Sequence, residues 1–115
     1  MTIRLYGIPN CDSVKKARAW MVDHGIAHDF HDYRKQGVDA ARLATWCDAV
    51  GWERLVNRKG TTFRKLSDGD RAVDDADAAI ALMVANPSVI KRPVIEYPGG
   101  LLVGYSPQEY AVAFA

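Results

Sequence analysis

Apolar and polar residues alternate first near the start of the chain, where Ile3 and Leu5 are interleaved with Thr2 and Arg4. A period of two puts both apolar side chains on one side of a short strand. The pattern breaks at Gly7-Ile8-Pro9-Asn10 and resumes with a helical period through Val14, Ala17 and Met21. Trp20 lies beside that stripe, and Lys15, Lys16 and Arg18 lie off it. Gly25 is the expected stop, with His24 in the last turn. Residues 27–33 around Phe30 predict a second strand, and its His28, Asp29, His31 and Asp32 suit a sheet edge. Leu43, Trp46, Cys47 and Val50 recur at helical spacing before Gly51, which predicts a helix with Cys47 on its core stripe. Residues 51–73 read as a polar, glycine-punctuated, compact loop with short helical turns. Asp75 to Asn86 is a further helix, apolar through its second half and stopped by Pro87.

Arg92 to Tyr97 then reads as a strand opened by proline, followed by Pro98-Gly99-Gly100, which has the chemistry of a hairpin turn. Leu101 to Tyr105 pairs back. Ser106 with Glu109 reads as a capping box, and Pro107 fits the first helical position. The order is βαβ, then helices, then a β-hairpin and a last helix. A βαβ crossover beside an antiparallel hairpin is the layout of a thioredoxin-like sheet. The expected fold is therefore α/β and thioredoxin-like, one domain over residues 1–115, with a helical insertion at about 38–90.

Composition narrows the function classes. The chain has 115 residues, 49% hydrophobic and 25% charged, which suits one globular domain burying about two-thirds of its unfolded surface. A formal charge of +1 supplies no broad field for direct binding to nucleic acid or to an anionic membrane. The longest apolar run, Ala78 to Ala85, has eight residues, against the roughly 20 that span a bilayer. Two cysteines make no disulfide scaffold, so a reducing cytoplasm is the expected compartment.

Cys11 lies between a predicted strand end and a predicted helix start. Only a thiolate is a competent nucleophile, and a helix N-terminus stabilises one through its free N–H groups and macrodipole. Lys15 and Lys16 add positive charge nearby, and Asp12 opposes them. The usual redox signature carries a second cysteine three positions on, which releases the mixed disulfide formed by the first. Val14 stands there instead. A monothiol must be resolved from outside, and glutathione is the cytoplasmic thiol expected as co-substrate, with no bound cofactor. Cys47, on an apolar stripe, is read as inert.

Two further segments offer anion or peptide contacts. Asn57-Arg58-Lys59-Gly60-Thr61-Thr62-Phe63-Arg64 combines cations, hydroxyls and a glycine. Arginine can hold a carboxylate or oxyanion bidentately, and backbone N–H groups near glycine can complete a cradle. Lys91-Arg92-Pro93 heads a strand that faces the nucleophile in a thioredoxin-like sheet, often through a cis-proline. His24, His28 and His31 have no metal-site spacing, so no metal is expected.

Tyr6-Gly7-Ile8-Pro9-Asn10-Cys11-Asp12, Lys15-Lys16-Ala17, Asp32-Tyr33-Arg34-Lys35, the Asn57–Arg64 run and Ile90-Lys91-Arg92-Pro93-Val94 together resemble the ArsC arsenate-reductase family. The likeness is greatest to its YffB-like branch, related to the Spx and MgsR regulators. The resemblance implies Cys11 as nucleophile and Arg58 and Arg92 as anion ligands. Asn10, Thr61, Thr62, Lys91 and Pro93 supply further contacts. It also implies glutathione, glutaredoxin and a protein or small-molecule disulfide as partners. In the family's arsenate reductases a third arginine lies in the final hairpin, where this chain has Tyr105, and no Lys or Arg follows Arg92. A histidine four residues before the cysteine corresponds to Gly7. Loss of one of three charge-assisted contacts removes roughly 1.5–3 kcal/mol of oxyanion binding. The leading expectation is accordingly a glutathione-dependent thiol–disulfide reductase. Arsenate reduction with glutathione and glutaredoxin, and a non-catalytic Spx-like role on RNA polymerase, are the alternatives.

Overall fold

Leu5 and Tyr6 point to opposite faces of the first strand, β1 (Arg4–Gly7), and both are wholly buried. The strand is therefore covered on two sides, more than its alternation with Thr2 and Arg4 suggested. The computed structural model describes residues 2–115. They divide into two compact units, one made of the chain up to Tyr33 together with Arg92–Ala115, the other of Arg34–Lys91.

In the first unit β1 leads into α1 (Asp12–Asp23) and on to β2 (Asp29–Asp32), which pairs parallel to β1 with Leu5 opposite Phe30 and Tyr6 opposite His31. The second strand is shorter than residues 27–33. Tyr33 belongs to the next element, α2 (Tyr33–Gln36). After the second unit, β3 (Val94–Tyr97) and β4 (Gly100–Val103) form a hairpin, and α8 (Pro107–Ala113) ends the chain's regular structure. The sheet order is β2-β1-β3-β4, with β3 antiparallel to both neighbours, so β2 lies at an edge. This is the thioredoxin-like arrangement.

Local chemistry explains where the helices stop. The α1 stripe of Val14, Ala17 and Met21 is buried against Ile3, Leu5, Ile95, Leu102 and Tyr110. The helix then closes in a Schellman motif: Gly25 N–H donates to the Val22 carbonyl and Ile26 N–H to that of Met21. Gly25 takes the left-handed φ of +68° that this closure requires. At the other end of the unit, Ser106 Oγ caps α8 by accepting from Glu109 N–H. Tyr110 then donates its hydroxyl back to the Gly104 carbonyl at 2.6 Å.

The second unit is helical. It holds α3 (Ala40–Val50), α4 (Trp52–Leu55), α5 (Thr61–Arg64), α6 (Asp68–Arg71) and α7 (Ala76–Ala85). Asp39 caps α3 and Asp75 caps α7, each carboxylate accepting from the amide three residues on. The α3 and α4 helices pack on α7, and Leu43, Trp46, Leu55, Leu82 and Met83 are buried. The short helical turns expected within 51–73 are three one-turn helices, and Leu55, Val56, Phe63 and Val73 are buried along this stretch. Cys47 corrects its assignment to the core. It is half-buried, because the stripe turns just past Trp46 and leaves it at the margin.

Where β1 passes α1 the approach is tight. A Cβ built on Gly7 meets Val14 Cγ2 at 2.6 Å, and Val14 is stiff and buried. Gly7→Ala is therefore expected to cost about 1–3 kcal/mol in denaturant unfolding. A double-mutant cycle with Val14→Ala should show favourable coupling, since the smaller neighbour makes room. Strict additivity in that cycle would contradict the packing argument.

Candidate active site

Cys11 is the N-cap residue of α1, with extended backbone (φ −100°, ψ 128°) and a half-buried side chain. Its carbonyl accepts from Lys15 N–H at 2.9 Å, so the helix starts directly behind it. The N-cap normally carries an oxygen that accepts from the second or third helical amide. Here it carries sulfur, which closes no capping bond in the thiol form. Partial burial alone raises the Cys11 pKa. The N–H of Val14, a hydrogen bond from the Arg92 guanidinium, the N–H of Ser13 and the Arg92 charge together outweigh it, and the thiol is held below its ordinary value. These two amides are the unpaired donors every helix presents at its N-terminus. The cationic contribution comes from Arg92 and not from Lys15 and Lys16, which are exposed on α1.

Arg92 reaches the sulfur because of the sheet. The antiparallel pairing of β1 with β3 sets Tyr6 opposite Val94 and Arg4 opposite Glu96, so the residues entering β3 arrive where β1 ends. Arg92 is half-buried, and the Arg92–Pro93 bond is cis with Pro93 buried. Asn10 is exposed in the turn before Cys11.

The other candidate residues belong to the second unit. Arg58 donates to the Val73 carbonyl at 3.2 Å, and its guanidinium lies 5.2 Å from the centre of the Trp52 ring. Thr61 opens α5 and is exposed, and Thr62 beside it is half-buried. Lys91 N–H donates to the Leu55 carbonyl, flanking a bridge between Val56 and Ile90. Arg58 thus has well-defined partners inside its own unit.

A family model, that of the ArsC family, matches residues 6–113. The chain belongs to the ArsC family. An uncharacterised protein of Haemophilus influenzae is 43% identical over 113 residues, covering 98% of this chain and 99% of the relative. The global transcriptional regulator Spx of Streptococcus pyogenes is 27% identical, with 93% of this chain and 81% of the relative covered. Among solved structures, the YffB (PA3664) protein superposes with a TM-score of 0.95 at 52% identity over 99% of this chain and 100% of that one. An arsenate reductase (ArsC) related protein from Brucella melitensis gives a TM-score of 0.76 at 52% identity, covering 99% of this chain and 95% of that one.

Within this ArsC-family chain both departures noted in the sequence have a structural setting. Gly7 abuts Val14, so a histidine at position 7 has no room unless Val14 changes as well. Tyr105 is half-buried and packs edge-on against Tyr110, with ring centres 5.7 Å apart, placing a neutral ring where a cation was sought. Two residues the sequence did not single out also belong to this unit. Tyr6 donates its hydroxyl to Glu96 Oε1 at 2.7 Å, from a fully buried position. A lone carboxylate inside the apolar Val94–Tyr97 run was the available signal.

The two cysteines are similarly half-buried yet shifted in opposite directions. Burial raises the Cys47 pKa, and the Asp48 and Glu53 carboxylates raise it further. Alkylation by iodoacetamide followed against pH should therefore reach half its maximal rate at lower pH for Cys11 than for a free cysteine, and at higher pH for Cys47. Arg92→Ala should move the Cys11 midpoint upward. Equal midpoints at both positions would refute the electrostatic assignment.

Proposed function

We propose that this ArsC-family protein is a glutathione-dependent thiol–disulfide reductase working through Cys11 alone. The observation that carries this reading is the half-buried N-cap sulfur facing the Ser13 and Val14 amides and the Arg92 guanidinium, with Val14 at the position of a resolving cysteine. The Cys11 thiolate attacks the glutathionyl sulfur of a mixed disulfide, forming a Cys11–glutathione disulfide and expelling the substrate as thiolate. A second glutathione thiolate attacks the glutathione sulfur of that adduct. Oxidised glutathione leaves and Cys11 returns as thiolate, so one glutathione thiolate is consumed, the substrate sulfur is released reduced, and the disulfide oxidation level passes from the mixed disulfide to oxidised glutathione. Arg92 stabilises the sulfur anion before attack and as it leaves. Pro93 offers its strand entry to a peptide backbone. Arg58, Thr61, Thr62 and Lys91, all of the second unit, stay candidates from the sequence for carboxylate and backbone contacts, and Asn10 directly precedes the nucleophile. The cytoplasm, where glutathione is abundant and reduced, is the compartment this chemistry needs.

Arsenate reduction is the second reading, supported by the family and by the name of the Brucella relative. Tyr105 and the lack of any Lys or Arg after Arg92 weigh against it, since a doubly charged oxyanion is then left with fewer cationic ligands. A docking role on RNA polymerase is the reading the Spx relatives favour. Val14 weighs against its two-cysteine switch.

Incubation with oxidised glutathione followed by mass spectrometry should locate one glutathione on Cys11 and none on Cys47. A glutathione mixed-disulfide substrate with glutathione, glutathione reductase and NADPH should then be turned over at least tenfold faster than by Cys11→Ser. Turnover only on addition of arsenate and glutaredoxin would transfer the assignment to the second reading. No adduct and no turnover would overturn both enzymatic readings.

A further inference from the structure

The two outer strands of the sheet differ sharply in chemistry. β2 lies at one end of the order and carries Asp29, His31 and Asp32. Charged side chains along an outer strand guard it against pairing with another chain. β4 lies at the other end and reads Gly100-Leu101-Leu102-Val103, with no charge, no proline and an unbroken register against β3. No strand among the described residues pairs with its outer side.

The hydrogen-bond phase of the hairpin fixes which groups that outer side presents. Gly104 N–H donates to the Pro93 carbonyl at 2.8 Å. Bonded and non-bonded pairs alternate in an antiparallel ladder, so Leu102 with Ile95 and Gly100 with Tyr97 are the next pairs to bond inward. Leu101 and Val103 therefore aim their N–H and C=O groups away from β3. Their side chains, on the face of Glu96 and Val94, are half-buried, whereas Leu102 turns to the other face and packs in the core with Val14 and Tyr110. Beside Leu102 a groove of about 420 Å³ opens between β4 and α8, lined by Tyr97, Leu102, Gln108, Glu109, Val112 and Ala113. Val112 on its rim is 80% exposed.

Such an edge complements itself. In an antiparallel pairing of two copies centred on Leu102, each Leu101 stands opposite Val103 of the other copy, and every outward N–H meets an outward carbonyl. Only apolar side chains then face one another along the seam, Leu101 with Val103 on one face and the two Leu102 side chains on the other, next to the groove that Val112 borders. The strand carries no charge, so two copies meet without the like-charge repulsion that Asp29 and Asp32 would impose at β2. A two-fold contact of this kind closes at two copies.

We infer that β4 is a self-association edge: two copies of this chain pair antiparallel through Leu101 and Val103 and join their sheets into one. Strands of four residues make a small contact, so the dimer is weak and forms as concentration rises. The inference is independent of the reaction proposed for Cys11.

Sedimentation velocity of the reduced full chain, from about 10 μM to about 1 mM, should show monomer giving way to dimer. Amide hydrogen exchange by NMR over the same range should show Leu101 and Val103 gaining severalfold protection. Leu102 and Gly104, already bonded within the hairpin, should hardly change. Val103→Pro removes one outward donor per copy and keeps the ladder to β3, because that amide bonds nothing inward. It should raise the dissociation constant about tenfold or more, with the melting temperature of the dilute protein unchanged. Should Val103→Pro not fold, Leu101→Lys, which charges the edge and sets the lysine opposite Glu96, must weaken the dimer in the same way. A chain still monomeric at about 1 mM would overturn the inference. So would a dimer whose Leu101 and Val103 amides stay unprotected, since it uses another surface. Protection of these amides only on adding a synthetic extended peptide with a glutathionylated cysteine would give the edge to a peptide partner and overturn it equally.

Discussion

A sulfur anion at a helix N-cap is stabilised by two amides that come with the helix and by one full charge that has to be delivered from elsewhere. The amides of Ser13 and Val14 follow from the local fold, because any N-cap faces the second and third helical N–H groups. Arg92 does not. It lies far along the chain, and it reaches Cys11 only because β3 runs antiparallel to β1 in a fixed register. A one-residue slip of that pairing would exchange the two faces of β3, sending Glu96 into the apolar layer and Ile95 out of it. The core of Leu5, Ile95 and Leu102 against α1 and α8 therefore does more than stabilise the unit. It sets the register that brings the guanidinium to the sulfur.

The tight contact between Gly7 and Val14 joins two features that look unrelated along the chain. Val14 removes the second thiol, and its methyl group occupies the space a side chain at position 7 would need. A substitution at position 7 toward the histidine of the family's arsenate reductases therefore meets Val14. With no neighbouring histidine to activate Cys11, activation falls on the backbone amides and Arg92, which are fixed charges and dipoles rather than a proton carrier. Such an environment lowers a thiol pKa over the whole neutral range and does not itself titrate.

Much of the fold was legible because its determinants are local. Gly25 ends α1 through a Schellman closure, Ser106 caps α8, and Asp75 and Pro87 bracket α7; each is a residue acting on neighbours within one turn. The order of these elements, βαβ then helices then a hairpin, pointed to the thioredoxin-like layout, and the family motifs agreed with it. What stayed hidden depended on tertiary context. Lys15 and Lys16 lie near Cys11 in sequence but point outward, whereas Arg92 is distant in sequence and close in space. Short helical turns were expected within 51–73, but four-residue turns show no period, so where each one starts and which side chains it buries were not readable. Tyr6 and Glu96 meet across paired strands, and no spacing rule along one strand exposes such a contact.

The two cysteines make the strongest case that charge placement, and not exposure, decides reactivity here. Both are half-buried, and in both burial by itself disfavours the thiolate. At Cys47 the neighbouring charges are Asp48 and Glu53, which act in the same direction as burial. At Cys11 amides and a guanidinium act against it and prevail. The same logic bears on substrate. Within the first unit Arg92 is already engaged by the Cys11 sulfur, and Tyr105 holds the place of the third arginine of the family's arsenate reductases, so fewer cations are offered to a doubly ionised oxyanion. A disulfide sulfur asks for less, since it is neutral when attacked and the charge it develops appears on the leaving thiolate. Transfer between sulfurs is the chemistry proposed for Cys11 on these grounds.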